Sequence, residues 1–362
     1  MIFEGNGDMN IYRAAEILKV QERYINDFSR PVNPLGPSQK VKAELRRYLK
    51  RLNEQPDPDC VRIRKHLAGH LKADKEQIIC GADHLSLLNA IITAVLPVKL
   101  IVNMPDDPGL LSISSHEGTG TGESNIRTIS SSKEEGFLFA KNELIDNMTK
   151  GGMALISNPN VITGRCLNRK NVLELAEAAR EKKCYMLIDE SLTGFCNGGS
   201  VADAVSDNGF IIVLSSLSPY YGLCGLGFSF AVLNQDLIGK ITKSARVTPP
   251  DLLSQRAAAV ALKDRVYVTE TKTWLKAEKV FIEKELKKAG VEFVRSESSS
   301  YLIYTDLSEQ LYNDLFKIRS IVKRCDDMPG LGKGYLYIAL RDHRSNAELI
   351  KGIKNFISRN HI

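Results

Sequence analysis

The chain of 362 residues has the composition of an ordinary globular protein, with 43% hydrophobic residues and 26 glycines. Its net charge of +6, from 49 basic and 43 acidic residues, is too small to predict nucleic-acid binding. No apolar run approaches the roughly 20 residues that a membrane-spanning helix needs, and the N-terminus lacks the basic and apolar regions of a secretory signal. We therefore expect neither a membrane nor a nucleic acid as a partner.

Seven cysteines are scattered through the chain, at positions 60, 80, 166, 184, 196, 224 and 325. None belongs to a CxxC pair, so the pattern predicts neither a zinc site nor a disulfide framework. Isolated thiols fit a reducing compartment, and we expect the protein in the cytoplasm.

Helical and strand patterns alternate along the first two thirds of the chain. A basic amphipathic helix at 40–52 is interpreted as a solvated helix rather than a nucleic-acid surface. Short apolar segments, typical of strands buried on both faces, lie at 99–105, 152–158, 184–190, 210–216 and 227–233. Between two of them, residues 168–183 have the apolar spacing of a helix that Asn168 can cap. This order predicts an α/β fold with a mostly parallel sheet.

The pattern changes after about residue 245. Long helical segments surround two strands, in YLIYTDL and YLYIALR, and Ser345 with Glu348 predicts a capping box that opens the last helix. We predict a large domain over 48–248 and a small α+β domain formed by 1–47 and 249–362.

Nine short motifs occur in the order and approximate spacing of one enzyme family. They are NIYRAAEIL, INDFSRPVNPLGPS, QPDP, GADH, SNPNVITG, LIDES, SLSPYYGLCGLG, IVKRC and YIALRDHRSN. With these motifs the chain resembles the aminotransferase class I/II family of pyridoxal phosphate (PLP)-dependent enzymes, in its histidinol-phosphate aminotransferase and threonine-phosphate decarboxylase branch. The stretch DFSRPVNPLGP favours the decarboxylase, which serves cobalamin biosynthesis. The resemblance implies a PLP-dependent transferase fold with a seven-stranded type of mixed sheet, and a homodimer.

The resemblance also implies where PLP would be held. The matching cofactor positions are Gly81, Ala82, Asp83, Asp189, Ser216 and Ser218. The carboxylate of Asp189 would keep the pyridine nitrogen protonated, and backbone N–H groups of GAD would hold the phosphate at a helix N-terminus. Taken alone, Asp189 is equally typical of a turn and GAD of a helix cap. His84 is expected to cap the helix or to be exposed, although it offers a possible base.

Pro219 stands where the family has its Schiff-base lysine. Proline offers neither an amine nor a side-chain base, so no catalytic residue is expected there. Other family contacts to the cofactor are also replaced, at Gln55, Leu110, Val161, Leu192 and Gly227. Gly227 takes the place of the arginine that binds the cofactor phosphate. Together these replacements indicate a site that has lost PLP catalysis or been rebuilt, with PLP bound noncovalently or not at all.

The substrate side retains more of the family pattern. The resemblance implies that Arg341 binds the substrate carboxylate and Arg324 binds the substrate phosphate. It also implies that Asn33 contacts the amino-acid end of the ligand. An arginine at a strand end is otherwise typical of a surface ion pair. The sequence therefore predicts a small phosphorylated amino acid, or its product, as the ligand.

Three functions remain open at this point. The first is a decarboxylase-like protein that binds such a ligand without ordinary PLP catalysis. The second is an active lyase or aminotransferase of cobalamin or amino-acid biosynthesis that uses noncovalent PLP or another mechanism. The third is a regulatory partner of an active homologue.

Overall fold

Two β-sheets organise the chain. The computed structural model describes residues 9–107 and 125–360. Its strands are β1 (Asn26–Asp27), β2 (Ile78–Gly81), β3 (Leu100–Met104), β4 (Ile126–Ser130), β5 (Met153–Ser157), β6 (Tyr185–Asp189), β7 (Ile211–Ser216), β8 (Ser229–Val232), β9 (Glu292–Phe293), β10 (Ser300–Tyr304), β11 (Ser320–Ile321), β12 (Lys323–Arg324) and β13 (Tyr335–Ala339).

The α-helices of the same ranges lie before, between and after these strands. They are α1 (Ile11–Leu18), α2 (Gln39–Tyr48), α3 (Val61–Leu71), α4 (His84–Val95), α5 (Lys141–Asn147), α6 (Arg169–Glu181), α7 (Gln235–Ser244), α8 (Leu252–Ala261), α9 (Arg265–Lys288), α10 (Ser308–Lys317) and α11 (His343–Asn360). None of these helices is long and apolar enough to cross a membrane.

The larger sheet has seven strands in the order β2-β8-β7-β6-β5-β3-β4. Six of these strands run in the same direction, and β8 runs opposite to them. The predicted α/β class and mostly parallel sheet are confirmed, and β3, β5, β6, β7 and β8 coincide with the five apolar segments. The sequence pattern did not predict β2, which is short, or β4, which lies at an edge and is largely exposed.

Both faces of this sheet are buried by helices. Leu155 and Leu187 pack on one face with side chains of α4 and α7. Ile156 and Ile188 pack on the other face with side chains of α6, which Asn168 caps as predicted. Strands enclosed in this way are apolar almost without interruption. Their polar side chains therefore lie at the strand ends.

The smaller sheet is antiparallel, in the order β12-β13-β10-β9, and α9, α10 and α11 cover one of its faces. β1 pairs in parallel with β11, with Asn26 opposite Ser320. This pairing attaches the N-terminal segment to the C-terminal part of the chain. Such an attachment agrees with the division expected at 48 and 248, although those boundaries stay predictions.

The last helix begins two residues before the predicted capping box. It starts at His343, and the carboxylate of Asp342 accepts hydrogen bonds from Ser345 N–H (3.1 Å) and Ser345 Oγ–H (2.7 Å). Glu348 instead accepts a hydrogen bond from the Asn26 side chain at 3.1 Å. The capping-box prediction was wrong because an aspartate, itself a strong N-cap residue, precedes the serine.

Candidate functional site

Polar side chains meet at one edge of the seven-stranded sheet. Asp106 follows β3, Asp189 ends β6 and Ser216 ends β7, and these strands run in the same direction. β2 also runs in this direction, since β2 and β7 are both antiparallel to β8. It therefore delivers His84, the first residue of α4, to the same edge. Ligand sites of open α/β sheets lie outside this edge.

His84 and Asp189 form an ion pair at the centre of this edge. His84 Nε2 lies 2.8 Å from Asp189 Oδ2, and Ser191 N–H donates to Asp189 Oδ1 at 2.9 Å. Burial disfavours both charges, but the mutual attraction and hydrogen bond of the two side chains raise the pKa of His84 and lower that of Asp189. His84 is therefore neither a cap nor an exposed residue, and both oxygens of Asp189 already have partners.

Asp106 is a second buried carboxyl group at this edge. Its Oδ1 accepts hydrogen bonds from Ser157 Oγ–H (3.0 Å) and Asp107 N–H (2.8 Å). Its Oδ2 is buried and has no hydrogen-bond partner within residues 9–107 and 125–360. Burial raises the pKa of Asp106 to about 8, and the nearby charges of Asp107 and Asp189 act in the same direction. The sequence reasoning missed Asp106, although two acidic residues directly after a buried strand were a usable signal.

The phosphate cradle predicted at residues 81–83 is largely engaged by the protein itself. Ala82 N–H donates to Thr248 O at 2.9 Å. The Asp83 carboxylate caps α4 by accepting a hydrogen bond from Ser86 N–H at 2.6 Å. Gly81 ends β2 and pairs with Ser229. A carboxylate therefore already lies against the N-terminal amides of α4, where the resemblance implied a phosphate.

The loop after β7 is closed by its own serines. Ser216 Oγ–H donates to Phe228 O at 2.9 Å and accepts from Ser218 N–H at 3.2 Å, while Ser218 Oγ accepts from Phe228 N–H at 3.0 Å. Pro219 lies in the turn that follows, and its carbonyl accepts a hydrogen bond from Asn33 N–H at 2.9 Å. These hydroxyls hold the loop shape, so neither needs a ligand to be satisfied.

Gly227 has a backbone conformation that excludes a larger residue. Its φ of +67° lies in the left-handed region, and a Cβ there would be 2.8 Å from Ala82 O. The resemblance places the family's phosphate-binding arginine at this position. This backbone has no room for an arginine.

Asn33 has a structural role in the described chain. It is 1% exposed, and its side-chain amide donates to Tyr220 O and to Thr271 Oγ, each at 2.8 Å. Its Oδ1 accepts a hydrogen bond from Leu35 N–H at 3.1 Å. Asn33 donates its main-chain N–H to Pro219 and its side-chain amide to Thr271, and these two hydrogen bonds connect the loop after β7 to α9.

Arg341 contacts the same face of α9 as this connection. Its carbonyl accepts a hydrogen bond from Trp274 Nε1–H at 3.1 Å, one helical turn after Thr271. Its Nε is buried and has no hydrogen-bond partner in the described part of the chain. A guanidinium in this state can receive a carboxylate without first losing a protein partner.

Arg324 is engaged in ion pairs beside the four-stranded sheet. It lies opposite Leu336 on β13, so both side chains are on the sheet face that packs against the helices. Asp326 Oδ2 accepts hydrogen bonds from Arg324 Nε (2.9 Å) and Nη2 (2.6 Å). Glu309 Oε1 lies 3.6 Å from Arg324 Nη1. The expected pairing of Arg324 and Arg341 across one ligand therefore requires this ion pair to open.

The other positions with replaced family contacts are spread over the fold. Leu192 is buried in the main core, Val161 is half-buried and Gln55 is exposed. Leu110 lies outside the described residues. The three described positions among them contribute packing or surface rather than polar groups to the site.

Comparison with known proteins agrees with the fold. The histidinol-phosphate aminotransferase of Clostridium novyi is 26% identical over 329 residues, which cover 88% of each chain. The threonine-phosphate decarboxylase of Salmonella typhimurium is 24% identical over 354 residues, 96% of each chain. A solved structure of histidinol-phosphate aminotransferase from Sinorhizobium meliloti, in complex with pyridoxal-5'-phosphate, has a TM-score of 0.83 at 17% identity. The match covers 98% of this chain and 96% of that one. The model of the family "Aminotransferase class I and II" matches residues 25–343, and the chain therefore belongs to this family.

Proposed function

We propose that this member of a PLP-dependent family binds a small amino-acid-type ligand without ordinary PLP catalysis. The observation that carries the proposal is the ion pair between His84 and Asp189. The resemblance implies that the carboxylate of Asp189 would bind the protonated pyridine nitrogen of PLP. Here that carboxylate instead binds the imidazolium of His84, which is also a flat ring with a positive N–H.

The residues of the site do not fit PLP held as a Schiff base. Pro219, assigned to the lysine position, has no amine. Both oxygens of Asp189 and the N–H of Ala82 are engaged by protein groups. Gly227 leaves no room for an arginine on the phosphate. Any PLP that binds would share the Asp189 carboxylate with His84 and Ser191 and would lack its covalent attachment.

Arg341 supports an amino-acid-type ligand. Its Nε is buried without a partner among the described residues and suits a carboxylate, because a guanidinium binds this group through two parallel hydrogen bonds. Asp106 Oδ2, in the same state within residues 9–107 and 125–360, suits an ammonium group. The names of two relatives, histidinol-phosphate aminotransferase and threonine-phosphate decarboxylase, contain a phosphorylated amino alcohol and a phosphorylated amino acid. We therefore propose a phosphorylated amino acid or its product as the ligand.

The same resemblance supports a homodimer, formed through the family's subunit interface. The QPDP loop, in which the family places a residue that reaches the neighbouring subunit, keeps its place in the chain. Gln55 in this loop is exposed and therefore accessible to a second copy.

Wild-type protein mixed with equimolar PLP and then reduced with borohydride should carry no pyridoxyl group on any lysine. Peptide mass spectrometry measures this directly, and the Sinorhizobium meliloti enzyme serves as the positive control. His84→Ala should bind PLP more tightly than the wild type, because Asp189 is released, and should still fix none. Stoichiometric pyridoxyl on one native lysine would instead establish an active enzyme with a displaced anchor.

Arg341→Ala should weaken binding of phosphothreonine by about tenfold or more, since it removes a charge-assisted pair with the ligand carboxylate. Calorimetry measures the affinities. Arg344→Ala is the matched control, because Arg344 lies three residues away and is 89% exposed. Arg324→Ala should leave the affinity unchanged if the Asp326 ion pair stays closed. Equal affinity of wild type and Arg341→Ala would remove Arg341 from the ligand site.

A further inference from the structure

Two cysteine thiols lie in contact at the same edge of the sheet, outside the site described above. Cys166 is in the loop after β5 and Cys196 is in the loop after β6, and their Sγ atoms are 2.9 Å apart. Both residues are partly exposed. They are about 30 residues apart in sequence, but β5 and β6 are neighbours in the sheet, so their loops are adjacent.

The backbone holds both sulfur atoms in place. Gly198 N–H donates to Cys196 Sγ at 3.4 Å, and Cys166 N–H donates to the Glu297 carboxylate at 3.1 Å. A Cβ at Gly198 would lie 3.0 Å from Cys166 Sγ and 3.5 Å from Cys196 Sγ, so the chain packs closely around the two thiols.

The two thiols differ in acidity. A hydrogen bond from the Cys166 thiol lowers the pKa of Cys196, and the same contact raises the pKa of Cys166. Burial opposes the first shift and adds to the second. The contact favours a thiolate, the reactive form of cysteine, at one sulfur of the pair, and Cys196 is the one that lines an open groove.

Cys196 also faces a solvent-filled groove with basic side chains. The groove has a volume of about 450 Å³ and is lined on one side by Lys272, Lys276 and Lys279 of α9. Glu283 and Glu297 line it as well. Lys279 is close enough for its charge to interact with that of Cys196. The lysines favour the approach of an anionic reagent, whereas the Glu190 and Glu297 carboxylates oppose a thiolate at Cys196 by raising its pKa.

We propose that Cys166 and Cys196 are a redox-active pair that a small anionic disulfide, such as oxidised glutathione, converts into an intramolecular disulfide. The Cys196 thiolate attacks one sulfur of the reagent, the reagent's S–S bond breaks, and one thiolate leaves and takes up a proton. The thiol of Cys166 then loses its proton and attacks Cys196 Sγ, which expels the second reagent thiolate. Two protein thiols are oxidised, and one reagent disulfide is reduced to two thiols.

The disulfide would join the two loops that follow β5 and β6. The second of these loops begins directly after Asp189, so the oxidised pair would restrain the edge of the candidate site. Disulfides in reducing compartments are usually transient or redox-sensing, which is consistent with partly exposed thiols. Cys60 and Cys80 also influence each other's pKa but are 2% and 7% exposed, and they lack such access.

Non-reducing peptide mass spectrometry after treatment with oxidised glutathione tests the pair. Wild-type protein should yield a Cys166–Cys196 cross-linked peptide, and alkylation of both thiols should fall about tenfold. In the Cys166→Ser variant, the exchange reaction should stop at a glutathione adduct on Cys196. In the Cys196→Ser variant, Cys166 should stay largely unmodified. A Cys60→Ser/Cys80→Ser variant is the matched control and should behave like the wild type. Oxidation should also raise the melting temperature by several degrees, reversibly with dithiothreitol, because the bridge closes a loop of about 30 residues.

Two results would contradict the redox-pair proposal. If glutathione modifies only the exposed Cys224 while Cys166 and Cys196 remain fully alkylatable, the two thiols are not a redox pair. An adduct that persists on Cys196 in the wild type would also overturn the proposal, because Cys166 would then fail to complete the exchange. Neither outcome depends on whether the neighbouring site binds PLP or an amino-acid-type ligand.

Discussion

His84→Ala is expected to lower the free energy of unfolding by about 3 kcal/mol at pH 6, because it leaves a buried carboxylate without its cation. Asp189 is 6% exposed and His84 donates to one of its two oxygens. The expected loss is at the lower end for a broken buried ion pair, since the His84 side chain is 22% exposed. Urea unfolding of both proteins measures the difference.

The effect of this substitution should depend on pH in two directions. The pKa of His84 is higher in the folded chain, so its contribution is complete below its unfolded value of about 6.5 and is lost as pH rises through the folded value. The pKa of Asp189 is lower in the folded chain, so its contribution is present above its unfolded value of about 3.9 and is lost as pH falls through the folded value. The stability difference should therefore be largest at about pH 5–6.

His343→Ala is the matched control for this experiment. His343 also contacts a buried carboxylate, that of Glu278, at 3.1 Å, but its side chain is 67% exposed. Glu278 keeps a second partner in Asn346, whose side-chain amide donates at 2.9 Å. We expect less than about 1 kcal/mol of destabilisation. If both histidine variants lose equally little stability at pH 6, His84 does not neutralise Asp189 in the folded protein.

Gly227→Ala is expected to destabilise the protein by about 3 kcal/mol or more. A left-handed conformation costs an ordinary residue about 1–2 kcal/mol, and the new Cβ would also meet the Ala82 carbonyl oxygen at 2.8 Å. Gly225→Ala is the control, because Gly225 has no positive φ and its added Cβ has no neighbouring atom within 4 Å among the described residues. Thermal and urea unfolding measure both variants. Equal stability of the two would mean that the loop after β7 relaxes freely.

Gly227 also limits any attempt to rebuild a PLP site. Pro219→Lys would supply an amine, but an arginine at position 227 meets the same steric conflict as alanine at its Cβ. His84 would still occupy Asp189. Restoring the family residues one by one should therefore fail unless the backbone between β7 and β8 changes with them.

Much of the fold was predictable from local patterns. β3, β5, β6 and β7 are enclosed on both faces, so their sequences are apolar almost without interruption and stand out from the helices between them. β4 was not predictable in this way, because its outward side chains are exposed and polar at the sheet edge. The start of α11 was misjudged because Asp342 and Ser345 are both suitable caps, and only the folded chain selects between them.

The sequence by itself determined the fold class, the family resemblance and the presence of Asp189 at a strand end, because these depend on residue order and on periodic burial. Only the tertiary structure decided which partners the polar groups take. His84 reaches Asp189 and Cys166 reaches Cys196 because neighbouring strands bring together segments that are distant in sequence. The alternation of side chains along β12 likewise turns Arg324 toward the helices, where Asp326 and Glu309 bind it. Contacts of this kind depend on strand order and on side-chain direction, which local sequence patterns do not specify.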